Sequence, residues 1–371
     1  MFDALRKLRL QFLTNPAFRS KAQKIPLIQR VANRSAERLF ALCSGFVQSQ
    51  ALLAFVQARL PEELLPGARS TAELASATDM PIASMRALLR AATALELCAQ
   101  TGPDQYELGE LGAVLIGNPG VVAMIRHHDA LYADLARPLE LLTAQSTRGH
   151  LQKYWAYADA TQAEQLDQSA VTAYTQLMAS SQQAVSEQVL AAIDLGHCRH
   201  LLDVGGGNAS FAVAAVRKWP RLRVTVADLP PVAAAAQQHI AELGLDDRID
   251  AVGIDFKREP LPQGHDALSF IRILHDHNDP DVGQLLGAAA TSLPDNGLLL
   301  IAEPLAESTS TGRLLEAYFS LYLLAMGQGR LRSFGELQGM LNDAGFRPVH
   351  RARTAIPLIS SALSARRSAK A

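Results

Sequence analysis

The chain has 371 residues, of which 49% are hydrophobic and 19% are charged, and its formal net charge is −1. This length predicts two or more domains, and the composition is typical of a globular protein rather than a disordered or fibrous one. The net charge gives no support to nucleic-acid binding, and three scattered cysteines indicate neither a disulfide framework nor a structural zinc site.

The N-terminal segment, residues 1–34, is a basic extension. The first 40 residues carry nine Lys or Arg against two acidic residues. The amphipathic start FDALRKLRLQFL fits either an anionic membrane surface or the solvated face of a helix that packs on a partner subunit. We find neither a signal sequence nor the ~18–20 apolar residues that span a bilayer. We therefore expect a cytoplasmic protein, with any membrane contact being peripheral and at the inner membrane.

Residues 35–190 are predicted to form a helical domain. SERLFALCSGFVQSQALLAFVQARL has apolar residues at helical spacing, and STAELASATD opens with a capping box of Ser70 and Glu73. Pro81 begins a second short helix, and TGPDQYELGELG then predicts a hairpin. Two helices followed by a hairpin form a winged-helix pattern.

Many winged-helix modules bind DNA, but this one is predicted to bind a second copy of the chain. Its second helix has only Arg86 and Arg90 as cations, whereas a recognition helix needs more polar and basic side chains. The long apolar helix before it needs a cover, and a two-fold homodimer is the commonest way to provide one. We therefore expect a homodimer and no nucleic acid.

Residues 191–371 are predicted to form an α/β domain. The short apolar runs HLLDVG, RVTVADL, RIDAVGID, ALSFIRIL and GLLLIAE alternate with helical patterns. Such alternation is typical of parallel strands joined by crossover helices. The turn LPDNG precedes the last of these runs, and a final strand is expected near RPVHRART.

A glycine-rich turn follows the first predicted strand, in LLDVGGGNAS. Asp203 stands near the strand end, and Gly205, Gly206 and Gly207 let the backbone of the turn approach a ligand closely. The dinucleotide fingerprint requires Gly or Ala where Ser210 stands. Asp203 is also placed to meet an ammonium group, which dinucleotides lack. The turn therefore favours S-adenosylmethionine over NAD.

Acidic residues also end the next two predicted strands. Asp228 suits a ribose diol, and Asp255 can accept from an adenine amino group while Phe256 contacts the ring face. Because the carboxyl ends of neighbouring parallel strands form one edge, these acids and Asp203 should line one site. The alternative is purely structural: turn glycines with helix-capping acids.

At these residues the chain resembles the S-adenosylmethionine-dependent O-methyltransferases that include the plant caffeate and isoflavone enzymes and many bacterial relatives. The likeness covers about residues 35–360, through LLDVGGGNAS, VADLP, ILHDHNDP, LPDNGLLLIAEP and DAGF. It implies a Rossmann-like class I methyltransferase domain preceded by an all-α winged-helix dimerisation domain. It also implies S-adenosylmethionine as cofactor and a histidine as general base.

The resemblance assigns the catalytic residues. The family's histidine–aspartate pair falls on His275 and Asp276, and its orienting glutamate on Glu303. The chain departs from the plant pattern at Leu331, which stands where a second catalytic glutamate is expected. A metal held by His275, Asp276 and His277 is conceivable, but no third histidine or cysteine stands at ligand spacing, so we expect no metal.

The resemblance also extends the cofactor site. The family's cofactor acids fall on Asp228, followed by Leu229, and on Asp255. Gly205 and Gly207 belong to the same site. The cation that precedes the catalytic histidine in the family is offset by one position, if Arg272 is its counterpart.

The acceptor pocket is expected along GRLLEAYFSLYLLAM. Helical spacing puts one apolar stripe on this segment, formed by Leu315, Phe319, Tyr322 and Met326. The family builds its acceptor pocket here, and its pocket methionine falls on Met178. Further candidates are His127, His128 and Trp155. The stripe suits a long apolar acceptor better than a polyphenol, although such a helix can also be plain core.

Three less distinctive segments resemble the bacterial carotenoid branch, the hydroxyneurosporene and demethylspheroidene O-methyltransferases. They are NPAFRSKAQKIPLIQR, GFVQSQ and HHDALYADLARPLELL. This likeness implies methylation of the tertiary hydroxyl of an acyclic carotenoid in carotenoid biosynthesis. The alternatives are a phenolic, polyketide or tetrapyrrole acceptor, and a non-catalytic regulatory homologue with a winged helix.

Overall fold

The structure is a computed structural model that describes residues 6–7, 10–11, 14–15, 26–143, 149–154, 182–356, 358 and 360–369. The chain divides into two compact units, Met1–Gly117 and Asn118–Ala371. Two predicted pocket residues, Trp155 and Met178, lie outside the described residues.

The first unit is helical apart from one hairpin, as the sequence predicts. Its elements are α1 Pro26–Gln57, α2 Leu60–Leu64, α3 Thr71–Ala77, α4 Ile82–Ala94, β1 Cys98–Gly102, β2 Gln105–Leu108 and α5 Glu110–Ile116. The predicted capping box is confirmed, because the backbone N–H of Glu73 donates to Oγ of Ser70 at 3.3 Å and the Glu73 carboxylate accepts from the Ser70 N–H at 2.7 Å. The strands β1 and β2 pair antiparallel.

Helix α1 leaves large apolar side chains in solvent. Leu42 is 81% exposed and Phe46 68% exposed, and Leu39 and Phe40 are exposed as well. By length and composition, Ala32–Gln57 is long and apolar enough to cross a bilayer. The expectation that no stretch reaches this length was therefore wrong. A helix packed on a partner has the same composition, so the finding alone does not indicate a membrane span.

The second unit is a seven-stranded sheet with helices on both faces. Its helices are α6 Pro119–Leu135, α7 Pro138–Thr143, α8 His150–Tyr154, α9 over residues 182–192, α10 Ser210–Lys218, α11 Pro230–Glu242, α12 Asp279–Ser292, α13 Ser310–Met326 and α14 Phe334–Asp343. Its strands are β3 His200–Val204, β4 Arg223–Asp228, β5 Ile249–Gly253, β6 Ala267–Ile271, β7 Leu298–Glu303, β8 Phe346–Ala352 and β9 Ser361–Arg367.

The strand order is β5-β4-β3-β6-β7-β9-β8. The five strands from β3 to β7 are parallel, as predicted, and β9 runs antiparallel between β7 and β8. Successive residues point to opposite faces, so Leu201 packs in one core cluster and Leu202 in the other. Because both faces are covered, β6 and β7 are buried throughout. The carboxyl ends of the parallel strands form one edge of the sheet, where ligands bind in such folds.

Candidate active site

The glycine-rich turn leads from β3 into α10 with two glycines in the left-handed region. Gly205 has φ +71° and Gly207 φ +57°, values that other residues adopt at a cost. A Cβ at Gly206 would stand 2.5 Å from Oδ2 of Asp203, whereas a Cβ at Gly207 would meet nothing within 4 Å. The turn is thus packed against Asp203 at Gly206, and it is open at Gly207.

Asp203 lies beneath this turn and is fully buried. Its Oδ1 accepts a hydrogen bond from Oγ of Ser269 at 2.6 Å. Its Oδ2 has no hydrogen-bond partner in the part of the chain that the structure describes. Burial raises the pKa of Asp203 to about 7. A buried oxygen without a partner needs an explanation, and a cationic ligand group at the turn would supply one.

Asp228 ends β4 and is bonded to the same turn. Its Oδ2 accepts from the backbone N–H of Gly207 at 2.9 Å, and its Oδ1 from that of Leu229 at 2.7 Å. Burial raises the pKa of Asp228 to about 6. Each carboxylate oxygen can accept a further hydrogen bond, so the carboxylate can bind a diol while it holds the turn.

Asp255 and Phe256 follow β5, two strands away from β3. The Asp255 carboxylate accepts from the Lys257 N–H at 3.1 Å and lies 3.4 Å from Nε of Arg258. The Phe256 ring meets His277 edge-on, with 5.9 Å between the ring centroids. Because β5, β4 and β3 are neighbours, the three predicted acids stand at one edge of the sheet.

His275 sits on a short 3₁₀ turn, Leu274–Asp276, just after β6, and is 5% exposed. Its Nδ1 lies 2.5 Å from Oε2 of Glu303, the last residue of β7. A carboxylate can only accept, so Nδ1 carries the proton. Burial lowers the pKa of His275, but the charges of Asp276 and Glu303 outweigh burial, and the net pKa is above the usual value.

The second ring nitrogen of His275 faces a different carboxylate. Nε2 lies 3.3 Å from Oδ1 of Asp276. Leu331, which stands where the plant pattern has a glutamate, is buried in an apolar cluster. The next histidine, His277, has its pKa lowered to about 3, by burial and then by the charge of Lys257. His275 is therefore the better candidate for a general base.

Helix α13 places an apolar wall beside the base. Phe319 meets the His275 ring edge-on at 5.5 Å between centroids. It belongs to the cluster of Leu131, Leu151, Leu315, Phe319, Tyr322, Leu323, Ala325, Met326 and Leu331. The predicted stripe is thus buried and adjacent to His275.

Two histidine–tyrosine pairs join α6 to α13, and the sequence pattern did not indicate them. Nε2 of His127 lies 2.9 Å from the Tyr322 hydroxyl, and Nε2 of His128 lies 2.7 Å from the Tyr318 hydroxyl. Burial lowers the pKa of His127 to about 4, so this ring is neutral near pH 7. The polar atoms on the apolar wall therefore bond to one another.

Arg272, the predicted cofactor-binding cation, follows β6 in an uncommon conformation. Its φ is +59°, and its backbone N–H donates to the carbonyl of Ala302 at 2.7 Å. The pKa of Asp276 and of Tyr318 is raised by burial and that of His275 by the neighbouring carboxylates, and the charge of Arg272 offsets part of each rise. Among the described residues, no group of three or more His, Cys, Asp or Glu could hold a metal ion.

Comparison with known proteins decides the family. The family model of the O-methyltransferase domain matches residues 140–347, and that of the O-methyltransferase dimerisation domain matches residues 40–118. The chain belongs to the S-adenosylmethionine-dependent O-methyltransferases. It is an enzyme, and its methyl donor is S-adenosylmethionine.

Two similar relatives of this O-methyltransferase match it along nearly the whole chain. The demethylspheroidene O-methyltransferase of Cereibacter sphaeroides is 34% identical over 97% of this chain and 95% of the relative. That of Rhodobacter capsulatus is 36% identical over 97% of this chain and 90% of the relative. The fold is also that of human N-acetylserotonin methyltransferase, solved with S-adenosylmethionine, at TM-score 0.75 and 23% identity over 90% of this chain and 98% of that one.

The site of this O-methyltransferase fits its donor. The turn is open at Gly207, the buried Oδ2 of Asp203 has no partner among the described residues, and Asp228 retains accepting capacity beside the turn. The sulfonium donor carries an ammonium group and a ribose diol, and these are the groups that such atoms bind. The expectation of a cofactor with a positive charge therefore agrees with the chemistry of these residues.

Proposed function

We propose that this O-methyltransferase methylates a hydroxyl of a long apolar acceptor, the tertiary hydroxyl of an acyclic carotenoid, in carotenoid biosynthesis. One observation carries the proposal: the wall beside His275 is apolar, with Phe319 against the imidazole and Leu331 buried where the plant pattern has a carboxylate. A wall without free charges binds a hydrocarbon chain better than a polyphenol. The names of the two bacterial relatives give independent support.

The cofactor site is assigned by the same reasoning. S-adenosylmethionine, when bound, supplies an electrophilic methyl group. We assign its ammonium group to Asp203 and the open turn of Gly205 and Gly207, and its ribose to Asp228 with Leu229. Asp255 and Phe256 would hold the adenine ring. Arg272 is assigned to the same site on the sequence resemblance.

His275 is assigned as the general base. With its Nδ1–H donated to Glu303, its Nε2 is the nitrogen that can take a proton from the acceptor hydroxyl. A tertiary alcohol is a very weak acid, so its proton must leave as the new bond forms rather than before. Glu303 and Asp276 then stabilise the imidazolium. Fixing the acceptor and the base in one geometry lowers the entropic part of the barrier.

The acceptor pocket is assigned to the buried face of α13. Phe319, Tyr322 and Met326 are its described members, and Met178 is a further candidate from the sequence resemblance. The histidine–tyrosine pairs bond to one another and so fit a pocket that need not satisfy a polar ligand. The family membership and the contact of His275 with Glu303 favour an enzyme over a non-catalytic regulator.

We also propose a homodimer that works at the inner membrane surface. The dimerisation-domain match over residues 40–118 and the exposed apolar side chains of α1 support the dimer. The basic residues before α1 support a peripheral contact with anionic lipid, from which an apolar substrate would be taken. Nucleic acid is not among the proposed partners.

The test is a competition among acceptors. Purified enzyme with radiolabelled S-adenosylmethionine is given an acyclic hydroxycarotenoid in liposomes, and in parallel phenolic, polyketide and tetrapyrrole alcohols. We expect the hydroxycarotenoid to have the highest kcat/KM by at least tenfold, with the label in an ether of the tertiary hydroxyl. A preference for any of the other classes would refute the proposed acceptor and leave the methyltransferase assignment standing.

A further inference from the structure

A buried guanidinium lies against the turn that carries the base. The side chain of Arg332 is 2% exposed, although it is charged. Its Nη1 donates to the carbonyl of Leu274 at 2.7 Å, and its Nη2 to the carbonyl of His277 at 2.8 Å. Its Nε and Nη2 also donate to Oδ1 of Asp279, at 2.9 and 2.7 Å. Charged groups are seldom buried this deeply unless every donor has a partner.

These contacts bracket His275 along the chain, because one bonded carbonyl precedes it and the other follows it by two residues. On the other side, Oε1 of Glu303 accepts from the backbone N–H groups of Ile273 and Leu274, at 2.9 and 2.7 Å. A carboxylate therefore holds the donors of this short segment, and a guanidinium holds its acceptors. Between them, the backbone on both sides of His275 is held in place.

The backbone just before Arg332 also packs closely against the turn Leu274–Asp276. Gly329 has φ +90°, and a Cβ there would overlap the carbonyl oxygen of His275. Its N–H donates to Oδ1 of Asn278 at 3.1 Å. Arg330 reaches Asp279 as well, at 2.9 Å, but among the described residues it donates no hydrogen bond to the turn itself.

We propose that Arg332 is a positioning residue for the general base. It acts through the backbone on both sides of His275 and keeps Nδ1 at Glu303, so that Nε2 is the nitrogen left to take the proton. A lysine cannot replace these contacts, because the guanidinium donates from three nitrogens spread over a plane, whereas a lysine ammonium donates from a single atom. In this chain the segment that carries Leu331 thus contributes to the reaction through alignment rather than through a second carboxylate.

The test compares one conservative change at two neighbouring arginines. Arg332→Lys keeps the charge but loses the planar set of guanidinium donors. Arg330→Lys makes the same change in a half-exposed side chain that also binds Asp279. We normalise turnover to the concentration of sites that bind cofactor. On this scale the turnover of Arg332→Lys should fall about tenfold or more, while its affinity for S-adenosylhomocysteine stays within about threefold of wild type. Arg330→Lys should stay within twofold in both.

A second readout needs no acceptor. The imidazole of His275 is titrated by NMR in histidine-labelled protein saturated with S-adenosylhomocysteine, and its signal is assigned with His275→Ala. In Arg332→Lys the pKa of His275 should fall. The imidazole, no longer held in place, moves away from the Glu303 carboxylate, which favours its charged form. A merely structural role would lower the melting temperature and leave this titration unchanged.

Wild-type turnover together with a wild-type titration in Arg332→Lys would overturn the proposal. If that variant does not fold, Gly329→Ala provides the test, because the added methyl displaces the His275 carbonyl from the same side. It should show the same drop in turnover and the same downward shift of the His275 pKa. The inference rests on the O-methyltransferase activity and not on the carotenoid acceptor, since the titration reports on the base whichever alcohol is methylated.

Discussion

The imidazole of His275 and the carboxylate of Glu303 lie 2.5 Å apart although 28 residues separate them in the chain. They meet because β6 and β7 are parallel neighbours, so that the residues after one strand and at the end of the other share an edge of the sheet. The sheet thus sets both the tautomer and the direction of the base. The pairing should be visible in the pH dependence of the reaction.

The first prediction concerns that pH dependence. A general base works when it is unprotonated, so turnover should rise with pH, with a midpoint above the usual pKa of histidine, because the pKa of His275 is raised. In Glu303→Gln the neutral amide no longer favours the imidazolium, so the midpoint should move to lower pH. The maximal turnover should fall by about tenfold. The exposed Glu242→Gln serves as control, and an identical profile in Glu303→Gln would contradict the assignment.

The second prediction concerns the base itself. His275→Ala removes the group that takes the acceptor proton, so turnover should fall by ~10²-fold or more. Calorimetry should find the affinity for S-adenosylmethionine nearly unchanged, because no group of the cofactor is assigned to this side chain. The exposed His197→Ala should behave as wild type. Wild-type turnover in His275→Ala would mean that another group removes the proton.

The third prediction concerns the ribose. Asp228→Ala removes the acceptor of the diol and the bond that holds Gly207, at a cost of roughly 1–3 kcal/mol. Calorimetry should show the Kd for S-adenosylmethionine raised by roughly 5- to 150-fold. The exposed Asp246→Ala, after α11, should leave the Kd unchanged. An unaltered Kd in Asp228→Ala would contradict the assignment of the strand end.

Much of the fold could be predicted because local patterns decide it. The five parallel strands are short apolar runs between helical patterns, and the Ser70 capping box has a sequence signature that needs no tertiary contact. Strand β9 was not predicted. Its sequence, SALSARR, has no β-branched or aromatic residue, and it becomes a strand only because β7 and β8 stand on either side of it.

Site residues that belong to a local sequence motif could be predicted. Contacts that form only when distant segments pack together could not. The acids at or just after the ends of β4 and β5 could be located from the strand pattern, whereas the pair of His275 and Glu303 came from the family resemblance. The burial of Asp203 beneath its own turn, its bond to Ser269 and the reach of Arg332 into the catalytic turn depend on packing between distant segments. No local spacing encodes such contacts. In the sequence, RLRS shows only that arginines flank Leu331, and this does not indicate what Arg332 contacts.

The fourth prediction concerns that leucine. Leu331 is 6% exposed and packs with Phe319 and Leu323, so Leu331→Glu would bury a carboxylate without a partner. We expect the free energy of unfolding to fall by about 3 kcal/mol or more. If the new carboxylate instead moves to find a hydrogen-bond partner, the apolar wall is disturbed and turnover should fall. Leu331→Met, which keeps the volume, should cost less than about 1.5 kcal/mol. Denaturant titration distinguishes the two, and a stable, more active Leu331→Glu would contradict the apolar wall.

The last prediction is quaternary. Leu42 and Phe46 lie one helical turn apart on α1 and are both largely exposed, and large apolar surfaces of this kind mark interfaces. We expect light scattering to give a dimer for the full chain and a monomer, or aggregates, for the double variant Leu42→Glu, Phe46→Glu. The same change at the exposed Leu243, in the other unit, should leave the dimer intact. A stable monomer for the wild-type chain would overturn the prediction, and lipid would then be the cover to test, by flotation with anionic liposomes.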